Sequence, residues 1–318
     1  MHRMVLFAIL VLLLLSACTS STSTAQSLEV VSTTDSYRLI RHVFGETQVP
    51  LNPSRVLALG EEGLLIDLID SGMRPVAASV NLPDRVPLLS AEELAGIELF
   101  PSAGDISLET LSTYQPDFII GTEFFIDQIG YRQLSQIAPT VALSGATPLT
   151  QYIETLTVFG RAEEALREVD ALRAEIQRVA IARGTATQRV SLVTVYPGMN
   201  VALWFDGPSP IPLLVRALGL QIRPDPTTTT DLNIRNGRAF ISLEQLSMAD
   251  GDMIFLLQTA DVEGEASAVA EMMDHPLWQQ LPAVQAQRVV ELDRIGFPGL
   301  RGQRVLLTML EEILASGT

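Results

Sequence analysis

The spacing of apolar residues changes several times along the chain, and each change marks an element. From Tyr37 the run YRLIRHVFGETQVPLNPSRVLAL alternates apolar and polar positions, turns at Gly45-Glu46, and alternates again into Val49. It then passes a proline-marked loop and ends in the wholly apolar Val56–Leu59. Alternation predicts half-exposed strands, and a short continuous apolar run fits a strand buried on both faces. Leu64, Leu65, Leu68 and Ile69 recur at helical spacing up to Gly72, after which 75–78 is apolar again, so this stretch predicts a βαβ unit. Downstream, the pattern predicts a short helix over 91–94, a helix over 108–114 with Ser107 as N-cap and Pro116 as stop, and strands at 118–120 and 140–143.

The period then lengthens. GRAEEALREVDALRAEIQRVAIARG, from Gly160 to Gly184, places Ala162, Ala165, Leu166, Val169, Leu172, Ile176, Val179 and Ala180 on one helical face with charges opposite. At 1.5 Å per residue such a helix is about 33 Å long, the size of a lobe, and predicts a strut. Beyond it the α/β rhythm restarts. A strand over 190–195 is followed by a hairpin through Gly198, Met199 and Asn200 to a strand over 201–204. Then come a helix over 212–218, a short helix over 276–280, a strand over 289–292 and a closing helix over 305–315.

One stretch occurs twice. ISLETLSTYQPDFII, starting at Ile106, returns as ISLEQLSMADGDMIF at Ile241, with Ser107/Ser242, Leu108/Leu243, Glu109/Glu244, Leu111/Leu246, Ser112/Ser247, Asp117/Asp252 and Ile119/Ile254 in register. A period this long is not that of a solenoid. It fits two related lobes facing one another across a cleft, where ligands usually bind. The expected fold is therefore α/β: two lobes of mostly parallel sheet with flanking helices, residues 37–158 and 186–318, joined by one long interlobe helix at 159–185.

The amino terminus differs from the rest. Residues 1–17 carry Arg3, an apolar run from Val5 to Leu15 and then Ser16 and Ala17, the layout of a signal peptide and too short to span a bilayer as a stable helix. Leu15-Ser16-Ala17-Cys18 resembles the lipobox of bacterial lipoproteins, which implies that Cys18 becomes the first mature residue and carries a lipid through its sulfur. With a single cysteine the exported chain has no disulfide framework. Residues 18–36, opening on a Ser/Thr-rich run, read as a flexible tether.

Composition narrows the classes of function. Hydrophobic residues make up 47% and charged residues 18%, which suits a folded chain. The 21 basic residues are all arginine and stand against 37 acidic ones; such a surface repels phosphate backbones, so nucleic-acid binding is excluded. No G-x-S-x-G elbow, H-E-x-x-H helix or P-loop occurs, which argues against an enzyme; a secreted enzyme or a ligand-sensing receptor stays open as the alternative of another class. Bare-metal binding is disfavoured because only His42 and His275 survive loss of the signal, neither in an expected cleft loop.

Taken in order, several segments resemble one family. They are the lipobox, VPLNPSRVLAL, SGMRPVAAS, SLETLSTYQPDFIIG, IAPTV, GRAEEALREVDAL and HPLWQQLPAVQAQRVVELD. Together they resemble the substrate-binding lipoproteins of ABC importers for ferric siderophores, haem and cobalamin. The resemblance implies two rigidly joined lobes that capture an iron chelate, need no cofactor, act as a monomer and deliver the ligand to a permease of two transmembrane subunits. Haem or cobalamin is the alternative cargo. It also implies that Glu109 and Glu244, one per lobe, meet arginines of the permease; by itself, a glutamate in a first helical turn would merely favour the helix dipole. Export to the cell envelope, with membrane contact through the lipid anchor alone, follows from the same resemblance.

In a fold of this class, loops at strand ends carry the ligand contacts. The candidates in the first half are Glu62, Asn81, Phe124 and Phe125; in the second they are Tyr196, Trp204, Arg235, Arg238, Phe240, Arg294 and Phe297. Arginine and aromatic side chains suit anionic or aromatic chelates. One departure stands out: many members with hydroxamate or catecholate ligands carry an arginine just before the first SLE element, where this chain has Gly104 and Asp105. That weakens the reading of an anionic siderophore and leaves neutral or cationic chelates, haem and cobalamin open.

Overall fold

The computed structural model describes residues 28–104, 106–205, 209–227, 229, 232–259 and 262–316. The signal segment, Cys18 and Asp105 lie outside the described residues. The fold opens with an antiparallel meander of β1 (Glu29–Thr33), β2 (Tyr37–His42) and β3 (Gly45–Pro50). Residues 29–33, which the sequence reading places in the tether, are therefore a strand. Glu29 pairs in register with Arg41, their side chains form an ion pair at 2.8 Å, and Val30 packs against the first-lobe core.

The alternation in β2 and β3 turns Ile40, His42, Thr47 and Val49 inward. His42 Nε2 and Thr47 Oγ1 lie 3.0 Å apart, and Thr47 donates to the Thr140 carbonyl at 2.8 Å, which ties the meander to the lobe behind it. Burial lowers the His42 pKa to about 4. The unfolded chain then binds the extra proton, so stability contributed here is complete above about pH 6.5 and is lost as pH falls toward 4. We expect His42→Gln to flatten this acid limb: its unfolding free energy from urea titration should fall less between pH 7 and pH 5 than that of the native chain, by about 1–2 kcal/mol. An identical pH dependence in the two proteins would refute the assignment.

The first lobe continues with β4 (Val56–Leu59), α1 (Glu62–Asp70), β5 (Ala77–Val80), α2 (Ala91–Leu94), β6 (Glu98–Pro101), α3 (Leu108–Thr113), β7 (Phe118–Thr122), α4 (Glu123–Ile129), α5 (Tyr131–Ile137) and β8 (Thr140–Leu143). The sheet is parallel in the order β6-β5-β4-β7-β8. Strand order reverses at β4, so the loops after β4 and β7 splay apart and open a crevice at the carboxyl end of the sheet. Helices α6 (Pro148–Val158) and α7 (Ala162–Arg183) then lead to the second lobe.

The second lobe contains β9 (Arg189–Tyr196), β10 (Asn200–Trp204), α8 (Pro210–Ala217), β11 (Gln221–Ile222), β12 (Arg238–Ile241), β13 (Met253–Gln258), α9 (Glu265–Met273), α10 (Pro276–Gln279), α11 (Pro282–Gln285), β14 (Val289–Asp293) and α12 (Gly299–Ser316). Its sheet runs β12-β10-β9-β13-β14, with β11 also on β9; the β9–β10 and β10–β12 pairs are antiparallel. Ala165, Val169, Leu172, Ile176 and Val179 of α7 bury into this lobe's core, whereas Leu166, placed by the sequence on the same face, is 45% exposed. Gly184 ends α7 in the left-handed conformation, φ 59°.

Helix α12 begins six residues before the expected start and rests on α1 of the first lobe as well as on α6, α7 and α8. Asp67 of α1, fully buried, accepts the Leu300 backbone N–H at 3.2 Å and the Gln151 side-chain N–H at 3.3 Å. Arg301 binds Asp70 and Glu93, and Arg85 binds Asp293 across the lobes. The lobes are thus clasped by α12 in addition to α7.

The two copies of the repeated segment differ in winding: the first is the α-helical turn α3 and the second, Leu243–Met248, a 3-10 turn. What they share is the anchor. Asp117 accepts from Ser54 and Arg55 backbone N–H groups at 2.7 and 2.9 Å, and Asp252 accepts from the Arg189 backbone at 2.9 Å and its guanidinium at 2.6 Å. Each aspartate fastens its copy to the residue entering the central strand of its lobe.

Candidate ligand cleft

Loops at the carboxyl ends of both sheets enclose a cavity of about 680 Å³ between the lobes. On the first-lobe wall Glu62 is 2% exposed, at the start of α1, and its carboxylate accepts the Asn81 backbone N–H at 2.7 Å, the Asn81 side-chain N–H at 2.8 Å and the Leu82 N–H at 3.2 Å. Glu62 is consequently a brace for the Asn81 loop. Glu61, next to it, lines the cleft with its side chain exposed; the protein crowding it and then the Glu62 carboxylate raise its pKa, while Asn81 opposes the rise. Phe124 and Phe125 occupy the first turn of α4, not a loop. Phe125 is 7% exposed and Phe124 stands 70% exposed at the cavity, edge-on to it at 5.1 Å.

The second-lobe wall is one face of the antiparallel part of its sheet. Trp204 is opposite Arg238, Ala202 opposite Phe240 and Thr194, and Asn200 opposite Tyr196, so the two-residue alternation puts Tyr196, Thr194, Trp204, Arg238 and Phe240 on the same side. Trp204 donates its indole N–H to Thr194 Oγ1 at 2.9 Å, which fixes the ring. The Arg238 guanidinium lies 5.3 Å from the Trp204 ring centre, 5.6 Å from Phe240 and 5.8 Å from Tyr196, and donates to the Tyr196 hydroxyl at 2.9 Å. Arg294 reaches the same Tyr196 ring at 5.3 Å and is held by the buried Glu265 carboxylate at 2.7 Å.

Seven of the expected contact residues line the cavity: Glu62, Asn81, Phe124, Phe125, Trp204, Arg238 and Arg294. Tyr196 and Phe240 stand behind them, around the Arg238 guanidinium. Arg235 lies outside the lining, its exposed side chain donating to Asn233 at 3.2 Å while its backbone pairs with that of Arg238 in a turn. Phe297 must be corrected: it is 5% exposed and packs in the second-lobe core, with the Gly302 backbone against its own.

The sequence reading missed the cavity floor, which comes from the starts of α6, α8 and α12: Thr147, Pro148, Gln151, Pro210, Pro298 and Gly299. Thr147-Pro148 was a usable signal, since Thr147 caps α6 by accepting the Thr150 N–H at 3.1 Å and proline suits the first helical position. Below the floor lies Asp67, whose pKa burial pushes up to about 8, so this carboxyl is largely protonated at neutral pH. Among the described residues no group of three or more His, Cys, Asp and Glu is placed to hold a metal ion. His42 is buried in the meander and His275 caps α10.

Glu109 and Glu244 are exposed in the first turns of the two repeated segments. The Ser107 hydroxyl donates to Glu109 at 2.7 Å and lowers its pKa, and backbone N–H followed by Ser242 do the same for Glu244, so both carry full charge at neutral pH.

Two α/β lobes, clasped by helices and separated by a small-molecule-sized cavity, define a two-lobed ligand-binding protein. Residues 75–295 match the model of the periplasmic binding protein family, and the chain belongs to that family. It is 26% identical to a probable siderophore-binding lipoprotein of Bacillus subtilis, YfiY, over 98% of this chain and 97% of that protein. It shares 26% identity with a second B. subtilis protein, the putative ABC transporter substrate-binding lipoprotein YhfQ, over 91% and 90% of the two chains. Among solved structures, Staphylococcus aureus SirA complexed with staphyloferrin B superposes with a TM-score of 0.72 at 22% identity, covering 89% of this chain and 99% of that one. The siderophore periplasmic binding protein from the fuscachelin gene cluster of Thermobifida fusca superposes at 0.67 with 25% identity, covering 84% and 98%.

Proposed function

We propose that this protein is a lipid-anchored extracytoplasmic receptor that captures a ferric siderophore between its lobes and delivers it to an ABC importer. The observation that carries the reading is the 680 Å³ cavity with an arginine held among three aromatic rings on one wall and an exposed phenylalanine on the other. Ferric chelates are bulky, present planar ligand groups and often bear negative charge, so they gain from ring contact and from charge-assisted hydrogen bonds at once. The naming of the B. subtilis and T. fusca relatives as siderophore-binding proteins supports the same cargo. Binding and release, with no chemical step, is the activity; Cys18 holds the lipid, and Glu109 and Glu244 present the loaded receptor to the two permease subunits.

A fluorescence titration tests the proposal. Every described element lies between Glu29 and Ser316, so protein lacking residues 1–18 keeps all of them. We expect saturable quenching by a ferric hydroxamate or ferric catecholate at submicromolar concentration, about −8 kcal/mol or better. Haem, cobalamin and free zinc serve as competitors. The signal should come from Trp204, which lines the cavity, and not from Trp278, which is fully buried in the core. Trp278→Phe should therefore keep the quenching and Trp204→Phe lose most of it. Response to zinc alone, or to no ferric chelate, would sink the siderophore reading.

A further inference from the structure

The walls of the cleft carry opposite charge, and neither charge is spent within the protein. On the second-lobe side Arg238 donates to a phenol and faces three rings, with no carboxylate in ion-pair reach among the described residues. Arg294 is neutralised by Glu265, yet its Nη1 is buried without an acceptor among the described residues. That wall is left with about one positive charge.

On the first-lobe side the balance is reversed. The Glu62 carboxylate is taken up by three N–H donors, while the exposed Glu61 carboxylate lines the cavity and has no ion-pair partner among the described residues. Two adjacent carboxylates on one wall of a cavity, Glu61 exposed to it and Glu62 behind, attract a cationic group and repel an anionic one. Arg238 also lines the cavity and forms no ion pair with Glu61. A uniformly trianionic chelate would meet these glutamates with repulsion, and a uniformly cationic one would leave Arg238 and Arg294 unused.

We infer that the cleft selects a chelate with two different ends: planar, electron-rich iron-binding groups against Arg238 and its rings, and a cationic substituent, an ammonium or guanidinium, against Glu61. This rests on the siderophore reading and specifies it. It also gives the Gly104-Asp105 departure a physical counterpart, since the first-lobe wall of the described cavity is acidic and aromatic with no arginine.

The probes are two matched pairs: a linear ferric trihydroxamate with a free ammonium tail and its N-acetylated form, and a ferric catecholate with and without a terminal amine. On the scaffold that binds, the ammonium form should bind at least tenfold more tightly than its uncharged partner, and Glu61→Gln should bring that ratio near one. Equal affinity of the paired forms for the native protein, or a ratio that survives Glu61→Gln, would overturn the inference while leaving the siderophore reading intact. Failure of all four chelates to bind would overturn that reading and the inference with it.

Discussion

Arg238→Ala should weaken binding of the ferric chelate by about 10- to 100-fold, the equivalent of roughly 1.5–3 kcal/mol for a charge-assisted hydrogen bond lost from a partly buried site. The side chain does two jobs. It brings positive charge to the cavity, and its plane fills the space among Trp204, Tyr196 and Phe240. Arg238→Lys separates them, because an ammonium keeps the charge but neither the fork of donors nor the stacking plane. We expect lysine to recover less than half of the lost binding free energy in the same titration. The protein should remain folded, since Arg238 lies at the start of β12 and is only partly buried. Full affinity in Arg238→Ala with unchanged Trp204 quenching would remove the aromatic-arginine wall from the binding site.

Charge reversal at Glu109 and Glu244 together should abolish uptake in cells while the soluble receptor keeps its ligand affinity. Each glutamate sits in a short turn fastened by an aspartate to the base of its lobe's central strand, so the charges are presented by rigid parts of the two lobes. A permease with two related subunits would read both, and each single reversal should lower uptake at least tenfold through repulsion of the arginines expected opposite, a fold-change of the size that mutating an interfacial charge pair can produce. The readout is uptake of radiolabelled ferric chelate beside the fluorescence titration of the same variants. Loss of ligand affinity would show that the turns serve the cleft; normal uptake by the double variant would end the docking role.

Much of this architecture is legible in local pattern. Val56–Leu59, Phe118–Ile120 and Thr140–Leu143 are short apolar runs and become the buried parallel strands, because burial on both faces leaves no polar position to break the run. The expected helix of Gly160–Gly184 is α7, bounded by the glycine that its left-handed cap requires. Locating the cleft was only partly legible. Arg238, Tyr196 and Trp204 are identifiable as aromatic or cationic residues near strand ends, but that they share a wall follows from the antiparallel register of three strands, which no local pattern contains. Phe297 shows the reverse case: an aromatic in a loop looks the same in sequence whether it faces a ligand or the core.

What the sequence by itself determined is the class: two α/β lobes, a long joining helix and a repeated SLE turn, each set by periodicity or by near-identity between two segments. Tertiary structure alone decided how the lobes are clasped and what forms the floor between them. Helix α12 starts at Gly299 and includes Gly302, residues that weaken a helix by about 1 kcal/mol each and hide its first turns from any local reading. They are there because a Cβ at 299 would come within 2.7 Å of the buried Asp67 carboxylate, and one at 302 within 2.1 Å of the Phe297 backbone. At 299 the approach of one lobe to the other demands glycine, and at 302 the packing of the helix on the Phe297 loop within its own lobe does; both demands exist only once the chain has folded.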